Sequence, residues 1–374
     1  MVVKYIAQGM RRDTALFIAE MSKHQFYYER KAAKSTGRPR STHTLKDAVS
    51  VNNSVVVDRI KLLQEDPDLS CGYKRMTKAL QLEGFVINHK KTARIMKDEQ
   101  LSKRKKTPKK QKEYAQYRKV KPEAPLRVLE MDIKLIYIAQ NKAYAQILTI
   151  IDTFTRVVLH WQVGMQMTQY QVKSAIDELV IDYLQPEDLL QKEIHIELRN
   201  DNGPQFCAKQ VRQHFEDNHI AQVFTHPYTP QENGHVESFH SILKTSLADQ
   251  AFYKVTDLED RLKVFYEKYN YQRIHGSAAG LPPMMFWQCW DMKLIEKTAI
   301  SKRRTKFNLK IPHHQISEKL SQREASCSID SPLDGVGQSD LQSEERNSPS
   351  QKGGEFKSPN YQPSDQRSPS VASC

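Results

Sequence analysis

Val128-Leu129-Glu130-Met131-Asp132-Ile133-Lys134-Leu135-Ile136-Tyr137-Ile138 has the period-two alternation of a β-strand, with Glu130 and Asp132 on one face. Two more β-rich runs follow it, Ala143 to Ile151 and Val157 to Val163. The turn-prone Gln140-Asn141-Lys142 and Asp152-Thr153 separate them, so the three runs are predicted to form an antiparallel meander. Downstream the pattern predicts a helix from Met167 to Leu184, a strand from Ile194 to Leu198, a helix from Cys207 to Asn218 and a strand from Ala221 to Thr225. Strands and helices alternating in this way imply a mixed α/β sheet with flanking helices.

Order and lengths match the ribonuclease H fold, and the acids fall where such a sheet could gather them. Asp132 lies inside the first strand, Asp201 closes the fourth in Arg199-Asn200-Asp201-Asn202-Gly203-Pro204, and Glu237 sits on a predicted helix. Carboxylates brought close repel one another and stay ionised beside a strong cation, and hard oxygen ligands suit Mg²⁺ or Mn²⁺. In a two-ion site the metals stand roughly 3.5 to 4 Å apart and clamp the attacking and leaving oxygens of an in-line displacement at phosphorus. Asp132 is then expected to bridge the ions, with Asp201 and Glu237 each completing one, and water or a 3′-hydroxyl as nucleophile. No nucleophile elbow or paired Cys and His competes with this chemistry.

On the helix holding Glu237, Val236, Phe239, Leu243 and Leu247 form an apolar stripe expected to face the sheet. Glu237, Ser241 and Lys244 stand at i, i+4 and i+7 on a separate face, expected to look into an exposed groove. Glu130 reads as a rim charge, and Asp152 as a turn cap that bonds its own backbone. His226, His235 and His240 lack the spacing of a zinc site; the first two suit phosphate or base contacts, and His240 reads as solvent-facing.

Upstream, Asp13 to Met21 and Lys23 to Lys31 read as two short helices about a turn, with Ser22 as N-cap, and basic Gly37-Arg38-Pro39-Arg40 suits a minor groove or a linker. A second helical unit begins after Asn53-Ser54, is barred by Pro67, resumes from Gly72-Tyr73-Lys74-Arg75 through Leu82, breaks at Gly84 and ends in a helix from His89 to Glu99 capped by Asn88. Lys90, Lys91, Arg94 and Lys97 make that last helix a candidate recognition helix for the DNA major groove.

The chain of 374 residues carries a net charge of +13, which suggests an anionic polymer as partner. Ten Lys or Arg against the single acid Glu113 fall between Leu101 and Pro122. Five scattered cysteines exclude a disulfide framework or zinc ribbon, and neither a signal peptide nor an apolar run of membrane-spanning length is present. The expectation is a soluble, cytoplasmic protein of bacterial, nucleoid-associated type. The organisation reads as a helix-turn-helix segment and basic linker (1–50), a helix-turn-helix DNA-binding module (51–102), a basic linker (103–124), a catalytic core with its C-terminal helix (125–290), and a basic, then Ser/Pro-rich tail (291–374) expected to be largely disordered. The fold class is thus a ribonuclease H-like α/β sheet preceded by all-α modules.

Together these blocks resemble the IS3 family of insertion-sequence transposases of the Asp-Asp-Glu type, whose core is shared with retroviral integrases, over most of residues 10 to 290. The carriers are Gly72-Tyr73-Lys74-Arg75 with Asn88-His89-Lys90-Lys91; Asp132; Asp201-Asn202-Gly203; Pro230-Gln231-Glu232-Asn233-Gly234 leading to Glu237; and Tyr269-Asn270 with Arg273 and His275. The resemblance implies binding of terminal inverted repeats and target DNA, cleavage and strand transfer with two Mg²⁺ or Mn²⁺ ions, and Lys244 holding the transposon end. It implies a homo-multimer on DNA, and an upstream partner with a helix-turn-helix and leucine zipper, since no sustained heptad occurs in this chain. Its Ser/Pro-rich tail is longer than the family pattern. A metal-dependent nuclease without strand joining, or a non-catalytic DNA-binding regulator, are the alternative readings.

Overall fold

The computed structural model describes residues 1–27, 41–102, 122–191, 194–226, 233–301 and 304–327. The N-terminal helices are α1 (Val2–Ala7), α2 (Arg12–Ile18) and α3 (Lys23–Tyr27), and Ser22 caps the last as expected, its Oγ accepting from Gln25 N. The basic Gly37-Arg38-Pro39-Arg40 element lies outside the described residues, as does most of the 103–124 linker.

The next module is not all-α. Strands β1 (His43–Lys46) and β2 (Val49–Asn52) form a hairpin, followed by α4 (Asn53–Glu65), α5 (Tyr73–Leu82), β3 (Phe85–Val86) and α6 (His89–Asp98). The small sheet runs β2-β1-β3, all antiparallel. Its strands are too short for period-two patterning to stand out, and tertiary packing holds them. Asn52 caps α4 through Ser54 N at 2.9 Å, and Asn88 caps α6 through Lys91 N at 2.8 Å. Gly84 ends the α5 turn at φ +86°, a left-handed backbone that L side chains rarely adopt, and an added Cβ would collide with the Asp47 carboxylate. Val56, Ile60, Met76, Leu80, Phe85, Ile95 and Met96 fill the module's own core.

The central sheet region comprises β4 (Val128–Ile138), β5 (Ala143–Asp152) and β6 (Val158–Gly164), then α7 (Gln169–Leu179) with a π turn over Val180–Leu184. After these come β7 (Ile196–Asn200), α8 (Pro204–Cys207), α9 (Lys209–Asp217), β8 (Ile220–Phe224), α10 (Gly234–Ser246) and α11 (Val255–Tyr271). Strand order is β6-β5-β4-β7-β8, with β4, β5 and β6 antiparallel and β7 and β8 parallel to β4. This is the ribonuclease H-like sheet that the element order predicted.

The β4 alternation decides which layer covers which face. Leu129 and Met131, with Leu148 and Ile150, pack under α7 and α9 through Val172, Ile176, Leu179, Val211 and Phe215. On the other face, Ala145, Ile147, Ile151 and Val158 pack under α10 and α11 through Val236, Phe239, Leu243, Leu262 and Phe265. Each large apolar side chain so buried contributes about 1.5 to 3 kcal/mol. Glu130 and Asp132, out of phase with Leu129 and Met131, share the α10 face.

The segment after residue 290 departs from the expectation of a disordered tail. After α12 (Pro283–Asp291) come the hairpin β9 (Ile295–Ser301) and β10 (Arg304–Leu309) and then α13 (Ile316–Cys327). Phe307 packs against Phe154, Phe286 and Trp290, and Ile295 and Ile316 are buried in the same cluster. That buried apolar surface is what holds the segment in place. Residues 328–374, where the Ser-Pro steps fall, lie outside the described residues. Among the described residues no helix is long and apolar enough to cross a membrane.

Candidate active site

Asp132 stands in the middle of β4, two residues past the last pair of its ladder with β7, and Asp201 stands just past the end of β7. Parallel β4 and β7 pair Val128 with Glu197, Leu129 with Leu198 and Glu130 with Arg199, so continuing the ladder brings Asp132 level with Asp201. Asp201 follows the last residue of β7 and is exposed; its Oδ1 accepts from Gly203 N at 2.9 Å, which folds the carboxylate onto its own loop.

Glu237 arrives from the covering helix. Its carboxyl is pushed above the ordinary range by partial burial first, then by the negative charges of Asp132 and Glu130, with His240 acting in the opposite sense. Glu237 lies one turn before His240 on α10, the residue that meets Asp132 of β4. Among the described residues, no set of three or more His, Cys, Asp and Glu side chains is spaced to hold one metal ion. α10 thus lies over the β4 segment that carries Asp132, while Asp201 is turned toward Gly203. All three offer hard carboxylate oxygens of the kind that suit a divalent cation.

Two neighbours differ from their sequence reading. Glu130 is no rim charge: its side chain is 0% exposed and accepts from His235 N at 2.9 Å and Val236 N at 2.8 Å, with His235 Nδ1 2.7 Å from its other oxygen. It therefore fixes the N-terminus of α10 to β4, satisfying free helix amides with a negative charge. His240 is not solvent-facing either. It is buried, and its Nδ1 lies 3.2 Å from Asp132 Oδ2. Spacing could have revealed this, because His240 follows Phe239 on the stripe running from Val236 to Leu243. Asp152 is the turn cap it was read to be, accepting from Phe154 N, Thr155 N and Thr155 Oγ1; burial pushes its carboxyl up.

Glu237, Ser241 and Lys244 are all exposed along α10, while Val236, Phe239, Leu243 and Leu247 are buried beneath it. On α6, Lys90 and Lys97 are exposed, whereas Lys91 Nζ donates to His43 O at 2.5 Å and Arg94 Nη2 to Ser41 O at 3.4 Å. Of Arg273 and His275, both expected at DNA, Arg273 is engaged within the fold and His275 lines a cavity beside α10. Arg273 Nη1 donates to the carbonyl of Asp68, whose buried carboxylate also accepts from Arg261 Nη2 and Ser246 Oγ. Lys268 Nζ meets Asp66 Oδ2 at 2.6 Å. These contacts pin the loop between α4 and α5 onto α10 and α11, joining the helix-turn-helix module to the core.

A family model described as an integrase core domain matches residues 122–230, a second integrase core domain model matches 218–283, and an HTH-like domain model matches 55–111. The chain is similar to a putative transposase for insertion sequence element IS150 of Escherichia coli (strain K12), 24% identical over 76% of this chain and 96% of that one. It is similar also to an uncharacterized 39.2 kDa protein of insertion element IS476 from Xanthomonas euvesicatoria, 23% identical over 76% of this chain and 78% of that one. Among solved structures, the catalytic core domain of BIV integrase is 25% identical and covers 45% of this chain and 97% of its own, with a TM-score of 0.33. The HTLV-2 integrase catalytic core in complex with magnesium is 18% identical over 44% of this chain and 99% of its own, with a TM-score of 0.33.

Proposed function

We propose that this chain, which belongs with the integrase-core transposases of insertion elements, is of the IS3 type and cuts and joins DNA through Asp132, Asp201 and Glu237. The observation that carries the reading is that α10 sets His240 3.2 Å from Asp132 and carries Glu237 one turn earlier, beside the end of the β4–β7 ladder that leads to Asp201. Carboxylates set on one side of a sheet in this way suit a divalent cation, and a polyanionic substrate needs one.

In the first step water attacks a phosphodiester at the element's end; the new P–O bond forms as the bond to the 3′ oxygen breaks, freeing a 3′-hydroxyl. In the second step that hydroxyl attacks a target phosphodiester and a target 3′ oxygen leaves. Divalent ions, two per site, would be held by the three carboxylates and supply charge neutralisation at phosphorus and a more acidic nucleophile. Within the chain, His240 orients Asp132, and Glu130 anchors the first turn of α10 so that Glu237 is carried on the side of the sheet that bears Asp132. Lys244 and Ser241 offer a cation and a hydroxyl to the DNA along the exposed face of α10, and Lys90 and Lys97 of α6 contact duplex through the helix-turn-helix module. Joining two ends requires both to be held together, which assigns the working form to a multimer on DNA, with an upstream helix-turn-helix partner supplying further contacts in the bacterial nucleoid.

The test is a strand-transfer assay on labelled duplexes taken from the DNA flanking the chain's own reading frame, with Mg²⁺, beside Asp201→Ala. Joined product with the parent and none with the variant is expected. Cleavage without joining would assign a nuclease, and binding without cleavage a regulator.

A further inference from the structure

Arg156 lies in the turn between β5 and β6 at φ +72°, the left-handed region that a bulky side chain rarely occupies. Its Nη1 is buried with no hydrogen-bond partner among the described residues, and the same holds for His275 Nε2. Both residues line a cavity of about 300 Å³ beside α10, together with Arg75 of the helix-turn-helix module, His235, Ser238 and Ser277.

The acids that could neutralise this cluster are engaged elsewhere. Glu130 is taken by His235 and the first amides of α10, Asp152 by Thr155 and Phe154, and Asp68 by Arg261 and Ser246. Burial first, then the positive charges of Arg273, Arg156 and Arg75, push the His275 imidazole down to about 3. It is therefore neutral near pH 7, with one ring nitrogen able to donate. The polar residues lining the cavity bring two guanidinium groups, three hydroxyls, that of Tyr269 included, and two imidazoles, the donor set of a tetrahedral oxyanion site.

The surroundings point to a polymer rather than a free ion. Arg156, His235 and Ser277 also line an adjoining cavity of about 660 Å³, whose wall carries exposed Lys297 of β9 and Lys306 of β10, with Glu123 the acid present there. Ser238 is the next residue after Glu237, so the cavity and the carboxylate face lie side by side on one helix.

We propose that the Arg75–Arg156–His275 cavity is a phosphate-binding site that takes a backbone phosphate of the DNA strand lying along α10, apart from the phosphate that reacts. This rests on the DNA-joining reading and adds to it a positioning site that holds the strand beside Glu237.

The experiment follows inorganic phosphate binding to the metal-free full chain by ³¹P NMR, before and after addition of an end duplex, with circular dichroism confirming that each variant folds. The parent is expected to bind phosphate and to release it when the duplex is added. Arg156→Gln is expected to weaken phosphate by at least about 10-fold, and Arg156→Lys to restore part of the loss. Ser277→Glu, at the exposed mouth, is expected to weaken it in the same direction without touching the buried arginine. Absence of phosphate binding, or binding unaltered by both Arg156→Gln and Ser277→Glu, overturns the site. Duplex that binds but leaves phosphate in place overturns the DNA assignment while leaving the strand-joining reading intact. Duplex that does not bind at all defeats the strand-joining reading itself, and with it the DNA source.

Discussion

His240 Nδ1 lies 3.2 Å from Asp132 Oδ2, a contact made from within the apolar face of α10 to an acid in the middle of β4. The buried imidazole fixes the carboxylate's orientation, the role a partner of a metal ligand commonly serves. His240→Phe keeps the ring-sized volume and removes the contact, so the fold is expected to survive while strand transfer falls by about 10- to 100-fold. Initial rates over a Mg²⁺ titration check this; a rate equal to that of the parent at all metal concentrations would refute it.

Glu237 gives a pH signature. Its carboxyl is raised by partial burial and by Asp132, so the folded chain holds that proton more tightly than the unfolded chain does. Ionising Glu237 therefore destabilises the fold as pH rises through the interval from the ordinary carboxylate value to the raised one. Glu237→Gln should melt higher than the parent near pH 7, with the gap closing toward about pH 4. Added Mg²⁺ should raise the parent's melting temperature more than the variant's. Thermal melts across pH, with and without Mg²⁺, measure both effects.

Glu130 should behave as a structural acid. Its fully buried carboxylate holds two α10 amides and His235, and Glu130→Ala leaves those donors without their acceptor. A loss of about 3 to 5 kcal/mol is expected, with Glu130→Gln losing less because an amide oxygen still accepts. Urea midpoints order the two variants, and an Ala variant as stable as the parent would remove Glu130 from this role.

Much of this was legible in the sequence because local chemistry agreed with the fold. β4 matches its alternation from Val128 to Ile138, Asn88 caps the helix it precedes, and the α10 stripe faces the sheet as its spacing required. What escaped depended on partners distant in the chain. Period two set Glu130 on the face of Asp132 but could not show that an α10 terminus would close over it. The β9–β10 hairpin hid among basic residues such as Lys297 and Lys306, because its apolar members gain a core only by meeting Phe154 and Phe286. Arg273 looked like a DNA contact until the Asp68 loop, some 200 residues upstream, came to lie beside it.

Lys244 should act through charge alone. It is exposed on the Glu237 face of α10, so Lys244→Ala is expected to weaken duplex binding and to reduce the slope of log affinity against log salt by about 1. Fluorescence anisotropy over a salt series reads that slope directly, and an unchanged slope would take Lys244 off the DNA.

The convergence of Asp132, Asp201 and Glu237 on divalent metal is tested most directly by crystals of the chain with an end duplex and Mn²⁺, measured at the Mn absorption edge. Anomalous peaks ligated by all three carboxylates, with Asp201 rotated away from Gly203, are the expected result. Peaks that leave Asp201 on its own loop, or none between β4, β7 and α10, would contradict it.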